Sequence, residues 1–184
     1  MEAQSQLQTH ADPLFKLSPI APASPCREAA EGFIASAFLD KHGARVREFL
    51  PELVGLQSRT GDLRAVAGYR SAGTGTLFLE QYLAHPVEQD LSAQVGTPIP
   101  RDQIAEVGNL AGGSCRYARH LVSLLPRFLF AHGYPRVVLT ATSLVAGTSA
   151  DTVIWYTGEA GVDAARGTAT VRVDQSISVS YGLR

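Results

Sequence analysis

Residues 104–129 constrain the fold of this chain more than any other segment. Their first part, I-A-E-V-G-N-L-A, has the apolar character of a buried strand, and the G-G-S that follows is typical of a turn. From Cys115 onward the spacing of apolar residues predicts a helix. Its apolar positions are Ala118, Val122, Leu125 and Leu129. A strand that leads through a turn into a helix favours an α/β architecture.

The start of that helix is a candidate anion site. Backbone N–H groups of a first helical turn and the positive end of the helix dipole both point at whatever lies there, commonly a phosphate. Ser114 can cap the helix, and Gly112 and Gly113 let a ligand approach the backbone closely. The same arrangement is also an ordinary α/β connection, so a binding role and a purely structural role both stay open.

Composition and charge exclude several classes of function. The formal net charge of -1 over 184 residues predicts no nucleic-acid partner and no attraction to an anionic membrane. The sequence has no run of about 18 apolar residues, so we expect no transmembrane span. The N-terminus carries Glu2 and lacks the apolar core of a secretory signal, which predicts a cytoplasmic location. Cys26 and Cys115 lack metal-ligand spacing, and we expect no metal.

The pattern along the chain predicts an α/β (α+β) fold. Residues 1–25 are polar and then proline-rich, which is typical of a flexible tail that can dock as an extended strand. A helix is expected over 27–38, and residues 52–72 have the strands and turn of a β-hairpin. With a further strand over 135–142, the order of elements gives a mostly antiparallel first half.

Three shorter stretches have weaker patterns. Residues 46–50 predict a second short helical turn before Pro51. The stretch over 77–83 suits either a strand or a short helix, and a turn of helix is expected over 88–93 within a proline-containing loop.

Six short motifs occur in a fixed order along the chain. They are F-I-A-S-A-F, H-G-A-R-V-R-E-F-L-P-E-L, A-V-A-G-Y-R-S-A, L-F-L-E-Q-Y-L, I-A-E-V-G-N-L-A and V-V-L-T-A-T. In this order and at this spacing, over residues 27–142, they resemble the bacterial thermostable hemolysin family. The most specific of them are G-Y-R-S-A, L-E-Q-Y-L and E-V-G-N-L-A.

This resemblance implies a fold similar to that of acyl-CoA N-acyltransferases, particularly acyl-homoserine-lactone synthases. Such a fold has a central mixed, mostly antiparallel sheet flanked by helices. A hairpin leads to a central strand that splays from its neighbour, the pantetheine arm of the donor runs beside that strand, and the pyrophosphate sits on the next helix's N-terminus. The implied donor is an acyl-CoA or an acyl-carrier-protein thioester, and the implied acceptor is a small or lipid-like molecule with an amine.

The resemblance also assigns residues to the donor site. The strand residues would flank the acyl-thioester arm, while the turn and the first basic residue of the helix would meet phosphate. These residues are Val107, Leu110, Ala111, Gly112, Gly113, Ser114 and Arg116.

Aminolysis of a thioester needs a base for the amine and a donor for the tetrahedral oxyanion. Glu106 and Glu80 are the candidate bases, because each stands in an otherwise apolar segment where burial would raise the pKa of its carboxyl group. Asn109 is a candidate hydrogen-bond donor to the oxyanion. The structural alternative is that both carboxylates pair with Arg70 or Arg116 inside the fold.

The resemblance ends after Thr142. Family members continue with a basic amphipathic helix and later a Trp with paired Tyr, whereas this chain continues with a segment that alternates as strands do. We therefore divide the chain into a tail (1–25), an acyltransferase-like domain (26–142) and a divergent segment (143–184), which forms strands or is poorly ordered. A genuine variant and a shifted reading frame near residue 143 both explain the divergence.

Two classes of function follow. The first is an N-acyltransferase that uses an acyl thioester. The second, implied by the family's name, is a haemolytic protein that damages membranes without enzymatic activity.

Overall fold

The computed structural model describes residues 14–141, 152–163, 168–173 and 178–180. Within these ranges, eight strands form one sheet in the order β1-β2-β3-β4-β5-β6-β7, with β8 beside β6. All neighbouring strands are antiparallel except β4 and β5, which are parallel. The strands are β1 (Phe15–Ile20), β2 (Glu52–Ser58), β3 (Leu63–Ser71), β4 (Ile104–Gly112), β5 (Arg136–Ala141), β6 (Thr152–Asp163), β7 (Thr168–Val173) and β8 (Ser178–Ser180). The α-helices are α1 (Arg27–His42), α2 (Val87–Val95) and α3 (Cys115–Ala131).

This architecture confirms the expected central mixed, mostly antiparallel sheet flanked by helices. The hairpin of β2 and β3, the strand β4, the helix α3 and the strand β5 all lie where the sequence patterns predicted them. Because α3 connects two adjacent parallel strands, β4, α3 and β5 form a βαβ unit in an otherwise antiparallel sheet.

Helices α1 and α3 cover opposite faces of the sheet. Leu121, Leu125 and Leu129 of α3 are buried against one face, together with inward residues of β2, β3, β4 and β5. Ala30 and Ile34 of α1 pack on the other face. Helix α1 extends beyond the predicted end and stops at Gly43, whose φ of 63° favours glycine.

The predicted helical turn over 46–50 is wrong, because tertiary hydrogen bonds hold this stretch in a non-helical path. Arg27 donates from Nη2 to the Leu50 carbonyl at 2.8 Å and from Nη1 to the Pro51 carbonyl at 2.7 Å. The backbone N–H of Leu50 donates to Asn109 Oδ1 at 2.8 Å. The proline after Leu50 also disfavours helical backbone there.

The other weakly patterned stretches form short helices. The stretch expected to be a strand or a short helix contains a 3-10 helix over Phe78–Tyr82. The expected turn within 88–93 is part of α2, which packs with Leu79, Ile104 and Val138 in a small cluster on the face opposite α3.

The two terminal segments contribute strands. Residues 15–20 of the predicted tail form β1, which pairs with β2 along its whole length. The tail was predicted to dock as an extended strand, and β1 is such a strand, with Ile20 buried. Strands β6, β7 and β8 lie in the divergent segment. The division into a tail, a domain and a divergent segment itself stays a prediction.

Candidate functional site

Strands β4 and β5 part midway along β4. Ile104, Ala105, Glu106 and Val107 pair with Arg136 to Leu139, and the pairing stops there. Both strands continue, β4 to Gly112 and β5 to Ala141. Among the residues that the structure describes, the β5-facing edge of β4 after Val107 therefore has no strand beside it. The central strand splays from its parallel neighbour as the family resemblance implied.

A β-bulge at Asn109 redirects β4 at the same point. Gly68 pairs with Gly108 and Val66 with Ala111, so two residues of β4 lie opposite one residue of β3. The φ of Asn109 is 49°, a left-handed conformation that Asn tolerates better than most residues. The extra residue exchanges the two faces of the strand: Val107 packs on the α3 side, and Ala111 packs on the α1 side.

The side chain of Asn109 is already engaged in the fold. Its Oδ1 accepts from the Leu50 N–H at 2.8 Å, and its Nδ2 donates to the Glu48 carbonyl at 3.3 Å. It therefore ties the 46–51 stretch to β4. Its predicted role as an oxyanion donor remains a prediction.

Helix α3 begins directly after the parted end of β4. Ser114 is the N-cap, and its side chain accepts from the Tyr117 N–H at 3.4 Å, as the sequence predicted. The Gly113 N–H donates to the Arg64 carbonyl at 3.0 Å. Within the described ranges, the N–H groups of Cys115 and Arg116 have no partner, as expected for the first turn of a helix. The helix therefore presents free backbone donors where β4 ends.

The two glycines of the turn differ in their surroundings. A Cβ on Gly112 would lie 2.9 Å from the Ala118 nitrogen and 3.0 Å from the Ser114 carbonyl oxygen. Gly112 is thus required for close packing of the strand end against α3. A Cβ on Gly113 would meet nothing closer than the Arg64 carbonyl oxygen at 3.6 Å, and Gly113 is exposed. Of the two, Gly113 leaves room for a ligand.

Basic side chains surround this helix start. Lys41 Nζ donates to the Gly112 carbonyl at 2.6 Å. Arg116 is exposed in the first turn of α3, and Arg64 lies over the ring of Tyr117, 5.9 Å from its centroid. Residues 104–141 contain four arginines and a single acidic residue, Glu106, which is buried. The local field therefore favours an anion even though the chain as a whole has a net charge of -1.

Glu106 pairs with Arg70, as the structural alternative proposed. Its carboxylate is 4% exposed and accepts from Arg70 Nε at 2.8 Å and Nη2 at 2.7 Å. The backbone N–H groups of Phe78 and Leu79 donate to it at 3.1 and 2.8 Å. Glu106 thus fixes the start of the Phe78–Tyr82 helix over the sheet, one residue before β4 and β5 part.

Glu80 pairs with Arg101, and not with Arg70 or Arg116 as the structural alternative proposed. Arg101 donates to both of its oxygens at 2.7 Å, and the N–H groups of Leu77 and Val87 donate at 2.7 and 2.9 Å. The hydrogen bonds from Arg101 lower the pKa of Glu80 to about 2, against the effect of burial. The expectation of a raised pKa is therefore wrong for Glu80, because burial came with a bidentate partner 21 residues away. Arg101 also donates to Glu88 and to the Ala72 and Gly75 carbonyls.

The sequence reasoning missed three basic residues of this region. Lys41 lies 71 residues from Gly112, and no local pattern connects them. Arg64 and Arg119 were likewise not predicted as site residues. Arg119 could have been predicted, because the α3 sequence contains no acidic residue that could pair with its charge.

Two further classes of site are absent from the described residues. No helix there is long and apolar enough to cross a bilayer. No group of three or more His, Cys, Asp or Glu side chains in that part of the chain could hold a metal ion.

Comparison with known proteins gave three findings. The sequence model of the family described as Thermostable hemolysin matches residues 20–150. Among solved structures, the chain is similar to a candidate N-acetyltransferase from Lactobacillus plantarum, with 12% identity, a TM-score of 0.45, and coverage of 70% of this chain and 75% of that one. No curated protein matches the sequence.

Proposed function

The chain belongs to the thermostable hemolysin family, and on that footing we propose that it is an N-acyltransferase. In the proposed reaction an amine attacks the carbonyl carbon of an acyl thioester, and the carbon–sulfur bond breaks. The amine nitrogen loses a proton, the thiolate gains one, and an amide and a free thiol result. The donor is acyl-CoA or an acyl-carrier-protein thioester, the acceptor is a small or lipid-like amine, and the reaction takes place in the cytoplasm.

The parting of β4 and β5 is the observation that carries this proposal. Beyond Val107 the edge of β4 presents backbone N–H and C=O groups without a strand partner in the described part of the chain. An extended chain with its own amides can pair with such an edge, as a peptide does in β-augmentation. The pantetheine arm of an acyl thioester is a chain of that kind. In the proposal, Val107, Leu110 and Ala111 flank this arm.

The phosphate at the end of that arm has a matching site at the start of α3. In the proposal it lies against Gly112, Gly113 and Ser114 and meets the free N–H groups of the first helical turn. The positive end of the helix dipole, Arg116 and Lys41 add charge of the right sign. Both proposed donors contain this phosphopantetheine unit, so the argument applies equally to each.

The chemical step is assigned to groups near the opening. Glu106 is the proposed base, since it lies one residue before the strands part. Its four hydrogen bonds give it a second task, the positioning of the Phe78–Tyr82 segment. Glu80 and Asn109 are the other proposed participants. Of the two carboxylates, Glu106 is the first to test, because it lies on β4 itself, next to the point where β4 and β5 part.

The test is incubation of the purified protein with a panel of acyl-CoAs and acyl-carrier proteins. We expect at least one donor to raise the melting temperature, because a ligand at 100 times its Kd stabilises a protein by about 2.7 kcal/mol. With an amine acceptor, the same donor should release free thiol.

The haemolytic alternative makes the opposite prediction. If no thioester donor changes the melting temperature, and the purified protein lyses erythrocytes without any donor, the acyltransferase proposal is wrong. Lysis that needs both donor and acceptor would instead indicate an amphiphilic product of the enzyme.

A further inference from the structure

An open groove lies between β1 and the first half of α3, on the side of α3 away from the gap between β4 and β5. Its volume is about 500 Å³, within the range of about 300–1,000 Å³ common for small-molecule sites. The lining residues are Phe15, Arg116, Tyr117, Arg119, His120 and Ser123.

The groove is cationic. The side chains of Arg116 and Arg119 are exposed, and no carboxylate within the described ranges pairs with either of them. Helix α3 contains no acidic residue. A guanidinium provides several donors in a fixed planar arrangement, which suits phosphate.

The groove also has an aromatic wall. Phe15 packs edge-on against Tyr117 and His120, with ring centroids 5.6 and 5.4 Å apart. The guanidinium of Arg64 lies over the Tyr117 ring at this wall. Purines stack on aromatic rings and on Arg guanidinium planes, whatever their hydrogen-bonding pattern. Hydrogen-bond donors for phosphate that lie beside aromatic rings are a combination that suits a nucleotide.

The groove begins where the proposed phosphopantetheine site ends. Arg116 is the second residue of α3 and lines the groove, and Ser114 caps the same helix. A nucleotide joined to a phosphate at the helix start would therefore reach the groove within one helical turn.

We propose that this groove holds the 3′-phosphorylated adenosine end of CoA, with Arg119 on the 3′-phosphate and the Phe15–Tyr117 pair against the purine. This inference rests on the proposed function and narrows it. The donor becomes free acyl-CoA, since the phosphopantetheine of a carrier protein has no nucleotide.

The test compares the Kd values of CoA, 3′-dephospho-CoA and 4′-phosphopantetheine by calorimetry. For the unmodified protein we expect 3′-dephospho-CoA to bind at least about ten-fold more weakly than CoA, the effect of losing one charge-assisted contact. Arg119→Gln should weaken CoA binding by about the same factor and leave 4′-phosphopantetheine unchanged. Arg127→Gln, on the same helix but outside the groove, is the matched control and should change none of the three.

The outcomes separate this inference from the proposed function. If 4′-phosphopantetheine binds but CoA and 3′-dephospho-CoA have equal Kd values, the groove does not hold the nucleotide and the proposed function stands. The Kd of a holo acyl-carrier protein is measured in the same way. If Arg119→Gln weakens the binding of this carrier protein but not the binding of CoA, the groove is a carrier-protein contact and our assignment is wrong. If none of the three compounds binds, both proposals fail.

Discussion

Replacement of Glu106 by Gln separates the positioning role of this carboxylate from its chemical role. Oε2 accepts from Arg70 and the Phe78 N–H, while Oε1 accepts from the Leu79 N–H. A Gln at this position keeps one oxygen acceptor. Its NH₂ group would then face a donor, either a backbone N–H or the guanidinium.

The magnitude follows from the contacts that change. A hydrogen bond to a charged group contributes about 1.5–3 kcal/mol, and a buried N–H left without a partner costs about 1–3 kcal/mol. Because Arg70 is partly exposed and can recover some hydration, we expect the free energy of unfolding to fall by about 3 kcal/mol. That is a large share of the total stability of about 5–15 kcal/mol typical of a domain.

Urea denaturation followed by circular dichroism measures this change. Glu48→Gln removes the same charge from an exposed position and should stay within about 0.5 kcal/mol of the unmodified protein. If Glu106→Gln is equally harmless to stability but abolishes acyl transfer, the carboxylate does not position the Phe78–Tyr82 segment and our account of its hydrogen bonds is wrong.

Two further predictions concern the Arg101 contacts and the glycine turn. The pKa of Glu80 is lowered from 4.5 to about 2 in the folded chain, so its stabilising effect is present above pH 4.5 and is lost as the pH falls toward about 2. Glu80→Gln should therefore be less stable at pH 7, and its free energy of unfolding should change less with pH across this window, as measured by urea titrations at several pH values. Parallel pH profiles for the two proteins would contradict the assignment. Gly112→Ala should destabilise the fold by about 1–3 kcal/mol, because its Cβ would meet the backbone of α3. Gly113→Ala should change stability by less than about 1 kcal/mol. Equal effects of the two variants in thermal denaturation would contradict the claim that residue 112 must be glycine for the strand end to pack on α3.

The parts of the fold that the sequence predicted have local causes. The strand β4, the cap at Ser114 and the helix α3 follow from apolar spacing and from residues within one turn of each other. The hairpin of β2 and β3 follows in the same way from its turn residues. The parting of β4 and β5 was predicted only by the family resemblance, since no local sequence pattern indicates where these two strands stop pairing.

The parts that were missed depend on contacts between distant residues. The 46–50 stretch is not helical because Arg27 and Asn109 bind its backbone from other elements. Glu80 does not have a raised pKa because Arg101, from beyond α2, donates to both of its oxygens. The aromatic wall of the groove joins Phe15 to residues about a hundred positions later in the chain. Helical or strand periodicity contains no information about such pairs.

The central claim is that the phosphate of an acyl-thioester donor binds at the start of α3, and Gly113→Asp tests it most directly. Gly113 is exposed, with space for a Cβ, and an acidic residue beside a helix N-terminus is compatible with the helix dipole. Folding should therefore be preserved. A carboxylate about 6 Å from a bound phosphate repels it by about 2–3 kcal/mol at an effective dielectric constant of about 20, and salt screening reduces this toward about 1.4 kcal/mol, or ten-fold in Kd.

The measurement is the Kd of 4′-phosphopantetheine for Gly113→Asp and for the isosteric, uncharged Gly113→Asn. We predict that Gly113→Asp binds 4′-phosphopantetheine more than about ten-fold more weakly than Gly113→Asn at low salt, and that the difference falls toward about ten-fold as ionic strength rises. Equal Kd values for the two variants at every salt concentration, with both folded, would contradict a phosphate at this helix start.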